Sequence, residues 1–302
     1  MEDKWSRLRI LITGASGLYG SKLANLAEKK GHQVFSAYNQ HQAAFGKPVR
    51  IEISDKDRVE KIFRELAPEI VVHAATLTDV DKCELNKELA WKINVEGTEN
   101  ITRAAKTSNT FLLYISTDYV FNGETGQYEE TDLPDPINYY GLTKLKAEEQ
   151  VKTITNDYCI ARASVIYGAT PAAGKVNFAL WIHNTLKKGE KAKALVDQWN
   201  SPTLNTNLAR MSIEIIEKRL RGTFHLSGAT RISRYDFAQM VAQTFNLDAS
   251  LIVPTLTRDF SWTAKRPRDS SLNSAKAQQI LENKPLTIEH ALQEMKQELT
   301  IL

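Results

Sequence analysis

Hydrophobic residues in this chain come in short, nearly unbroken runs that alternate with amphipathic stretches. The runs predict strands at Leu8–Thr13, Gln33–Tyr38, a short segment ending near Glu52 and Ile53, Ile70–Ala75, Phe111–Ser116 and Tyr158–Ala163. Helical periodicity between them predicts helices at Tyr19–Lys30, Asp55–Leu66, Asn86–Lys106 and Tyr139–Ile154. Strands that are apolar throughout and alternate with helices are typical of a parallel sheet covered on both faces. The pattern predicts an α/β fold with a Rossmann-type doubly wound parallel sheet.

The alternation of strand and helix lapses after Gly168. Helices are predicted near Asn177–Lys188, Leu204–Arg219 and Arg234–Asn246, separated by short strands and loops that contain proline. We therefore expect a larger first domain over residues 1–168 and a smaller mixed α/β domain over residues 169–302. The second domain is expected to be discontinuous, because Gly222–Ser227 could add a strand to the first sheet.

Charge and composition exclude several classes of protein. The chain has 39 basic and 36 acidic residues among 302, and no block of like charge, which is unsuited to binding nucleic acid. No apolar run approaches the length of about 18 residues that a membrane span needs, so no membrane partner is expected. The two cysteines form no CxxC motif, and the acidic start lacks a secretory signal, which favours a cytoplasmic protein. The six histidines show no metal-ligand spacing, so no metal site is predicted.

A glycine-rich turn joins the first predicted strand to the first predicted helix. It reads Gly14-Ala15-Ser16-Gly17-Leu18-Tyr19-Gly20. Glycine lets the backbone approach a diphosphate closely, and a helix N-terminus offers free N–H groups and a partial positive charge. The spacing is GxxGxxG, and its place after the first strand of an alternating chain indicates a dinucleotide site that includes Gly14, Ser16, Gly17, Leu18, Tyr19 and Gly20.

The ends of the next strands predict how the dinucleotide is held. Tyr38 and Asn39 stand where an acid would bind the ribose 2′-hydroxyl, so no carboxylate repels a 2′-phosphate. No arginine attracts one either, so NADPH is expected and NADH stays open. Glu52 and Ile53 are placed to meet the adenine. The small residues Ala74, Ala75 and Thr76 would let the cofactor lie across the sheet edge.

A tyrosine, a lysine and a threonine form the candidate catalytic set. Tyr140 is the only one of the ten tyrosines with a lysine, Lys144, four residues on, which places both on one helix face. Thr117 ends the preceding strand and could hydrogen-bond the same substrate oxygen. A free phenol has a pKa near 10, and a nearby ammonium is expected to lower it. This set could deliver a proton to a carbonyl oxygen while a nicotinamide delivers hydride to the carbon.

These motifs resemble the extended short-chain dehydrogenase/reductase superfamily, and longer runs resemble the dTDP-4-dehydrorhamnose reductase family. The runs are Ile115-Ser116-Thr117-Asp118-Tyr119-Val120-Phe121-Asn122-Gly123, Thr78-Asp79-Val80-Asp81-Lys82-Cys83-Glu84, Pro136-Ile137-Asn138-Tyr139-Tyr140-Gly141, Asn177-Phe178, Asp197-Gln198 with Ser201-Pro202-Thr203, and Arg266-Pro267 with Ser270-Ser271-Leu272. The resemblance covers nearly the whole chain.

The resemblance implies reduction of the 4-keto group of dTDP-6-deoxy-L-lyxo-4-hexulose to dTDP-L-rhamnose by NADPH, or by NADH in some members. It implies that Tyr140 donates the proton, that Lys144 holds the nicotinamide ribose, and that Thr117 and Asp118 contact the sugar. The family often has a tryptophan after the sixth strand where this chain has Val165. That difference leaves the sugar open.

Other residues could contact the substrate. Arg266, like Arg268, could bind a diphosphate, because a guanidinium matches two phosphate oxygens. Asn177 could hydrogen-bond the substrate or cap its helix. A nucleotide sugar is the expected partner. A homodimer stays open, since helices that could pair across an interface could equally cover the sheet.

Two alternatives to this reaction are kept. One is a reductase or epimerase that acts on another nucleotide sugar. The other is a dinucleotide-binding regulatory subunit like that of methionine adenosyltransferase, which resembles the same reductase family. The intact set of Thr117, Tyr140 and Lys144 favours an enzyme.

Overall fold

The structure is a computed structural model that describes residues 7–171 and 176–301. Its first half contains β1 (Arg9–Thr13), α1 (Leu18–Lys29), β2 (Gln33–Tyr38), β3 (Lys47–Arg50), α2 (Lys56–Leu66), β4 (Ile70–His73), α3 (Val80–Leu85), α4 (Lys87–Trp91), α5 (Gly97–Thr107), β5 (Phe111–Thr117), α6 (Tyr139–Ile154) and β6 (Tyr158–Ala163). The later part contains β7 (Ile166–Tyr167), α7 (Phe178–Lys187), β8 (Ala192–Leu195), β9 (Trp199–Asn200), β10 (Thr203–Leu204), α8 (Asn205–Lys218), β11 (Gly222–His225), β12 (Ile232–Ser233), α9 (Arg234–Phe245), β13 (Ile252–Thr255), α10 (Ala275–Ile280) and α11 (Ile288–Ile301).

The main sheet has seven parallel strands in the order β3-β2-β1-β4-β5-β6-β11. The first six follow the order of a Rossmann fold, in which the strand order reverses between β1 and β4. The predicted fold class, a doubly wound parallel sheet, is confirmed. No helix in the two described ranges is long and apolar enough to cross a membrane.

Alternation of side chains along the strands builds a core on each face of the sheet. In β1, Ile10 and Ile12 belong to the core beneath α1 and α8, whereas Leu11 belongs to the core beneath α2 and α5. Successive residues of a strand point to opposite faces, so a strand buried on both sides has to be apolar throughout. This explains why the strands read as hydrophobic runs without helical periodicity.

The later part of the chain has a core of its own and also completes the main sheet. Its core packs residues of α7, α9 and α11 around Tyr167 and Phe237. β11 pairs in parallel with β6, from Gly222 opposite Cys159 to His225 opposite Arg162. A boundary near residue 168 remains a prediction, since β11 returns to the first sheet.

Two sequence expectations differ from the structure. The third strand ends at Arg50, before Glu52 and Ile53, because pairing with β2 stops there and the chain turns into α2. The helix expected over residues 86–106 is divided into α4, a π-helical segment over residues 92–96, and α5. Asn94 lies in this segment, where its side chain bonds Leu77 and Thr143. Such π segments often occur at functional sites.

Candidate active site

A cleft of about 940 Å³ opens at the carboxyl ends of the parallel strands. Ligands bind at this edge of doubly wound sheets, where the strand order reverses. The structure places most of the predicted site residues on its walls: Gly14, Ser16, Gly17, Leu18, Tyr19, Gly20, Tyr38, Asn39, Glu52, Ile53, Ala74, Ala75, Thr76, Thr117, Asp118, Tyr140, Lys144, Val165 and Asn177. Arg266 and Arg268, the two candidates for binding a diphosphate, do not line the cleft.

The glycine-rich turn forms a backbone cradle whose close packing against neighbouring backbone leaves no room for side chains at Gly14 and Gly20. Gly14 has φ +70°, and a Cβ there would lie 2.8 Å from the carbonyl carbon of Ala74. A Cβ on Gly20 would lie 2.3 Å from the carbonyl oxygen of Gly14. α1 begins at Leu18, so its first N–H groups face this space. The cradle therefore fits the diphosphate of a dinucleotide.

The wall beside the cradle is polar and carries one carboxylate. Asn39 Nδ2 donates to Glu52 Oε2 at 2.6 Å, and Ser54 Oγ donates to Glu52 Oε1 at 3.1 Å. Tyr38, at the end of β2, is half-buried. These bonds hold Glu52 at the cleft wall, where its contact with adenine remains a prediction.

Tyr140 and Lys144 reach the cleft from the first turns of α6. The side chain of Asn138 accepts a hydrogen bond from Gly141 N at 2.8 Å and so starts the helix. Both Tyr140 and Lys144 are buried. Lys144 Nζ donates to the carbonyl oxygen of Ile115 at 2.7 Å. The same ammonium lies 4.2 Å from the centre of the Tyr114 ring.

Burial shifts the proton affinities of Tyr140 and Lys144 in opposite directions. Desolvation raises the pKa of Tyr140 well above its ordinary value, while the neighbouring Thr117 hydroxyl opposes the shift. Desolvation lowers the pKa of Lys144 to about 7, and Glu148 opposes that shift. The expectation that Lys144 lowers the pKa of Tyr140 is therefore wrong in this structure. Burial outweighs the lysine charge, which is directed at Ile115 O and the Tyr114 ring.

Thr117 and Asp118 lie side by side where β5 ends. Thr117 Oγ1 donates to Asp118 Oδ1 at 3.1 Å. Asp118 Oδ2 accepts hydrogen bonds from Ser164 Oγ and Ser270 Oγ. Burial raises the pKa of Asp118, and these three hydroxyl donors oppose the rise. Asp118 thus joins the sheet edge to the later part of the chain, and its contact with a sugar remains a prediction.

Val165 has a backbone conformation that is rare for its residue type. Its φ is +42°, in the left-handed region that β-branched residues seldom adopt. Thr203 N donates to its carbonyl oxygen at 3.2 Å, which fixes the chain as it passes the cleft. Strain of this kind is often found at functional sites.

The other two substrate candidates have partners within the protein. Asn177 caps α7, because its Oδ1 accepts from Leu180 N at 3.1 Å and its Nδ2 donates to Gly168 O at 2.8 Å. Arg266 Nη2 pairs with Asp81 Oδ2 at 2.9 Å, and its Nη1 donates to a backbone carbonyl. Substrate binding by either residue remains a prediction.

Arg234, which is not among the residues predicted from the sequence, lines the cleft at the start of α9. The N-terminal serine cap at Ser233 was a possible signal for the helix start, but it gives no indication that this start faces the cleft. Among the described residues, no three side chains of the metal-binding types cluster closely enough to hold an ion.

Comparison with known proteins identifies relatives over almost the whole chain. Residues 8–301 match the family described as the RmlD substrate binding domain. A probable low-salt glycan biosynthesis reductase, Agl14, of Haloferax volcanii is 34% identical over 265 residues, which are 87% of this chain and 88% of the relative. A dTDP-4-dehydrorhamnose reductase of Aggregatibacter actinomycetemcomitans is 31% identical and covers 95% of this chain and 98% of the relative.

Two further similarities bear on the choice between an enzyme and a binding protein. Methionine adenosyltransferase 2 subunit beta of Bos taurus is 29% identical over 90% of this chain and 82% of its own length. The solved structure of dTDP-4-dehydrorhamnose reductase from Bacillus anthracis in complex with NADP is 29% identical. It superposes with a TM-score of 0.88 and covers 97% of this chain and 100% of that chain.

Proposed function

This chain belongs to the RmlD substrate binding domain family, and on that premise we propose that it is an NADPH-dependent reductase of a nucleotide sugar. The proposed reaction reduces the 4-keto group of dTDP-6-deoxy-L-lyxo-4-hexulose and yields dTDP-L-rhamnose. One observation carries the proposal. The glycine cradle and the set of Thr117, Tyr140 and Lys144 converge on a single cleft at the carboxyl ends of the strands.

The cradle of Gly14 and Gly20 is proposed to hold the cofactor diphosphate, and the end of β2 with Glu52 is proposed to hold the adenosine part. When bound there, NADPH supplies a hydride for the carbonyl carbon. NADPH is favoured because a reductase relative has been solved in complex with NADP. NADH is the second choice.

The residues of the chain supply the proton. Burial keeps Tyr140 protonated at neutral pH, which is the form that a proton donor needs. As the carbonyl becomes an alcohol, the phenol O–H bond breaks and its proton passes to the carbonyl oxygen. Lys144, one turn further along α6, is proposed to bind the nicotinamide ribose and so to hold the cofactor beside Tyr140. Thr117 offers a hydroxyl to the same oxygen and helps to orient the sugar.

The test follows absorbance at 340 nm with purified protein, NADPH or NADH, and dTDP-6-deoxy-L-lyxo-4-hexulose. We expect the wild type to oxidise the cofactor and Tyr140→Phe to lose about 100-fold or more of the rate, since a positioned acid contributes about 10²–10⁴-fold. Tyr139→Phe is the matched control, because Tyr139 lies on the same helix but does not line the cleft. Equal rates in the wild type and Tyr140→Phe contradict the proposed role of Tyr140.

A regulatory subunit is the second candidate function, and the similarity to methionine adenosyltransferase 2 subunit beta favours it. A protein of this kind binds the cofactor without oxidising it. In that case NADPH raises the melting temperature of the wild type and of Tyr140→Phe alike. No 4-keto sugar nucleotide then gives turnover. Turnover of a different 4-keto sugar nucleotide would instead assign another substrate, which Val165 in place of a flat ring leaves open.

A further inference from the structure

Arg234 is placed at the cleft by two short strands and a helix cap. β12 pairs with β9, and Arg234 N donates to Gln198 O at 3.0 Å. Ser233 Oγ accepts a hydrogen bond from Asp236 N, which starts α9 at Arg234. The first residue of a twelve-residue helix therefore carries its side chain to the wall of the cleft.

Only part of the Arg234 guanidinium has a protein partner. Nε donates to Gln198 Oε1 at 3.2 Å, and the guanidinium carbon lies 5.1 Å from the centre of the Phe178 ring. Within residues 7–171 and 176–301, no carboxylate lies within 4 Å of its nitrogens. Nearby Arg231 differs, because it pairs with Asp269 at 2.6 Å. Burial lowers the pKa of Arg234, and the nearby charges of Tyr119 and Asp118 oppose the shift without an ion pair being formed.

The other cations near the cleft are engaged or peripheral. Lys144 is held by Ile115 O and the Tyr114 ring, and Arg266 is held by Asp81. Lys82 lines the cleft but is an exposed side chain. Among the described residues of the cleft wall, Arg234 is thus the partly buried cation whose Nη atoms can still donate hydrogen bonds to a ligand.

We propose that Arg234 binds the diphosphate of the nucleotide sugar and so makes the cleft selective for diphosphate-linked substrates. A guanidinium presents paired N–H groups that match two phosphate oxygens, and the N-terminus of α9 adds a partial positive charge. Bound phosphate would supply a counter-ion in direct contact, whereas Asp118 acts on Arg234 only from a distance. The inference rests on the proposed function, because it takes a nucleotide sugar as the ligand.

The test measures binding of dTDP, UDP, GDP and thymidine by calorimetry with NADP⁺ at saturation. The variants are Arg234→Gln, Arg234→Lys and the control Arg258→Gln, in which an exposed arginine of the same part of the chain is changed. We expect Arg234→Gln to weaken the best nucleoside diphosphate about 10- to 100-fold, with unchanged affinity for thymidine and NADP⁺. Arg234→Lys should lose less, because a point charge remains.

Several outcomes would overturn the inference. One is that Arg234→Gln binds dTDP, UDP and GDP with the same affinity as the wild type. Another is that Arg234→Gln loses as much affinity for thymidine as for the diphosphates. A third is that the wild type binds none of the three diphosphates. A raised KM for the sugar nucleotide with unchanged diphosphate affinity would also overturn it, because Arg234 would then act on the sugar. Unfolding midpoints of all variants show whether any loss comes from misfolding.

Turnover separates this inference from the proposed function. If the wild type oxidises NADPH and Arg234→Gln binds diphosphate normally, the reductase function stands and the proposed role of Arg234 is wrong. If the wild type shows no turnover but its diphosphate binding depends on Arg234, the proposed reductase function is wrong and the diphosphate site stands.

Discussion

At the scale of single residues, the absence of one side chain shapes the cofactor cradle. Gly20→Ala would place a Cβ 2.3 Å from the carbonyl oxygen of Gly14, which is far inside van der Waals contact. We expect the loop to shift and the affinity for NADPH to fall at least tenfold, as measured by fluorescence titration. Gly189→Ala is the control, because its Cβ meets nothing within 4 Å and its φ of +72° brings only backbone strain. Equal NADPH affinity in both variants would refute the cradle.

The charge of Lys144 sets a second expectation at this scale. Burial lowers the pKa of Lys144 to about 7, so the ammonium form predominates below that pH. Because kcat/KM reports groups of the free enzyme, we expect it to fall as pH rises through about 7. Lys144→Arg keeps the charge at all these pH values and should remove the fall. Lys146→Arg, an exposed neighbour, should leave the profile unchanged. A fall that persists in Lys144→Arg assigns the titration to another group.

At the scale of elements, a buried ion pair joins α6 to β6 beneath the cleft. Arg162 Nη2 lies 2.7 Å from Glu148 Oε2, and both side chains are almost wholly enclosed. Ser116 Oγ also donates to Glu148 at 2.6 Å, and the pairing lowers the pKa of Glu148. The pair therefore fixes α6, the helix that carries Lys144, against strands β5 and β6.

Removing one member of this pair should destabilise more than removing both. Arg162→Met leaves the buried Glu148 with only Ser116 and the more distant Lys152, at 3.7 Å, which costs up to about 3–5 kcal/mol of unfolding free energy, whereas Glu148→Leu with Arg162→Met should cost less. Urea denaturation measures each value. The exposed pair of Lys146 and Glu149 is the control, and breaking it should cost about 1 kcal/mol or less. Strictly additive single and double values would contradict the coupling.

The elements themselves show where sequence reasoning works and where it stops. The inner strands of the main sheet are predictable because burial on both faces selects mostly apolar residues, whereas the exposed edge strand β3 lacks that signal. The division of the helix over residues 86–106 is not, because Asn94 is drawn aside by partners at Leu77 and Thr143 that are 17 and 49 residues away. Long-range hydrogen bonds of this kind leave no local pattern.

At the scale of the whole molecule, the cleft is only half predictable. The glycine turn and the set of Tyr140 and Lys144 follow the first sheet and have recognisable spacing. Arg234 reaches the same cleft only because β12 pairs with β9 and the later part of the chain folds over the sheet edge. Arg266 has the right residue type for phosphate, but Asp81 holds it. Residue type indicates what a side chain can bind, and packing decides whether it is available.

Stability against acid is a property of the whole molecule to which two buried histidines contribute. His73 bonds Thr13 at 2.7 Å and Thr98 at 3.0 Å, and His225 packs beside Arg162. Burial lowers the pKa of each from 6.5 to about 3. Below pH 6.5 these two residues bind more protons in the unfolded chain than in the folded protein, so the stability that they contribute is full above that pH and is lost as pH falls towards 3.

These histidines weigh most between pH 6.5 and about 5.5, because ordinary carboxylates have pKa values near 4. Each histidine should contribute a slope of up to about 1.4 kcal/mol per pH unit to the unfolding free energy. We expect His73→Gln, which keeps a donor and an acceptor, to remove one such contribution, while the exposed His290→Gln keeps the full slope. Urea denaturation at several pH values measures the slope independently of any change in overall stability. A slope in His73→Gln equal to that of the wild type means that His73 is already protonated in the folded protein, which its two threonine partners and its burial oppose.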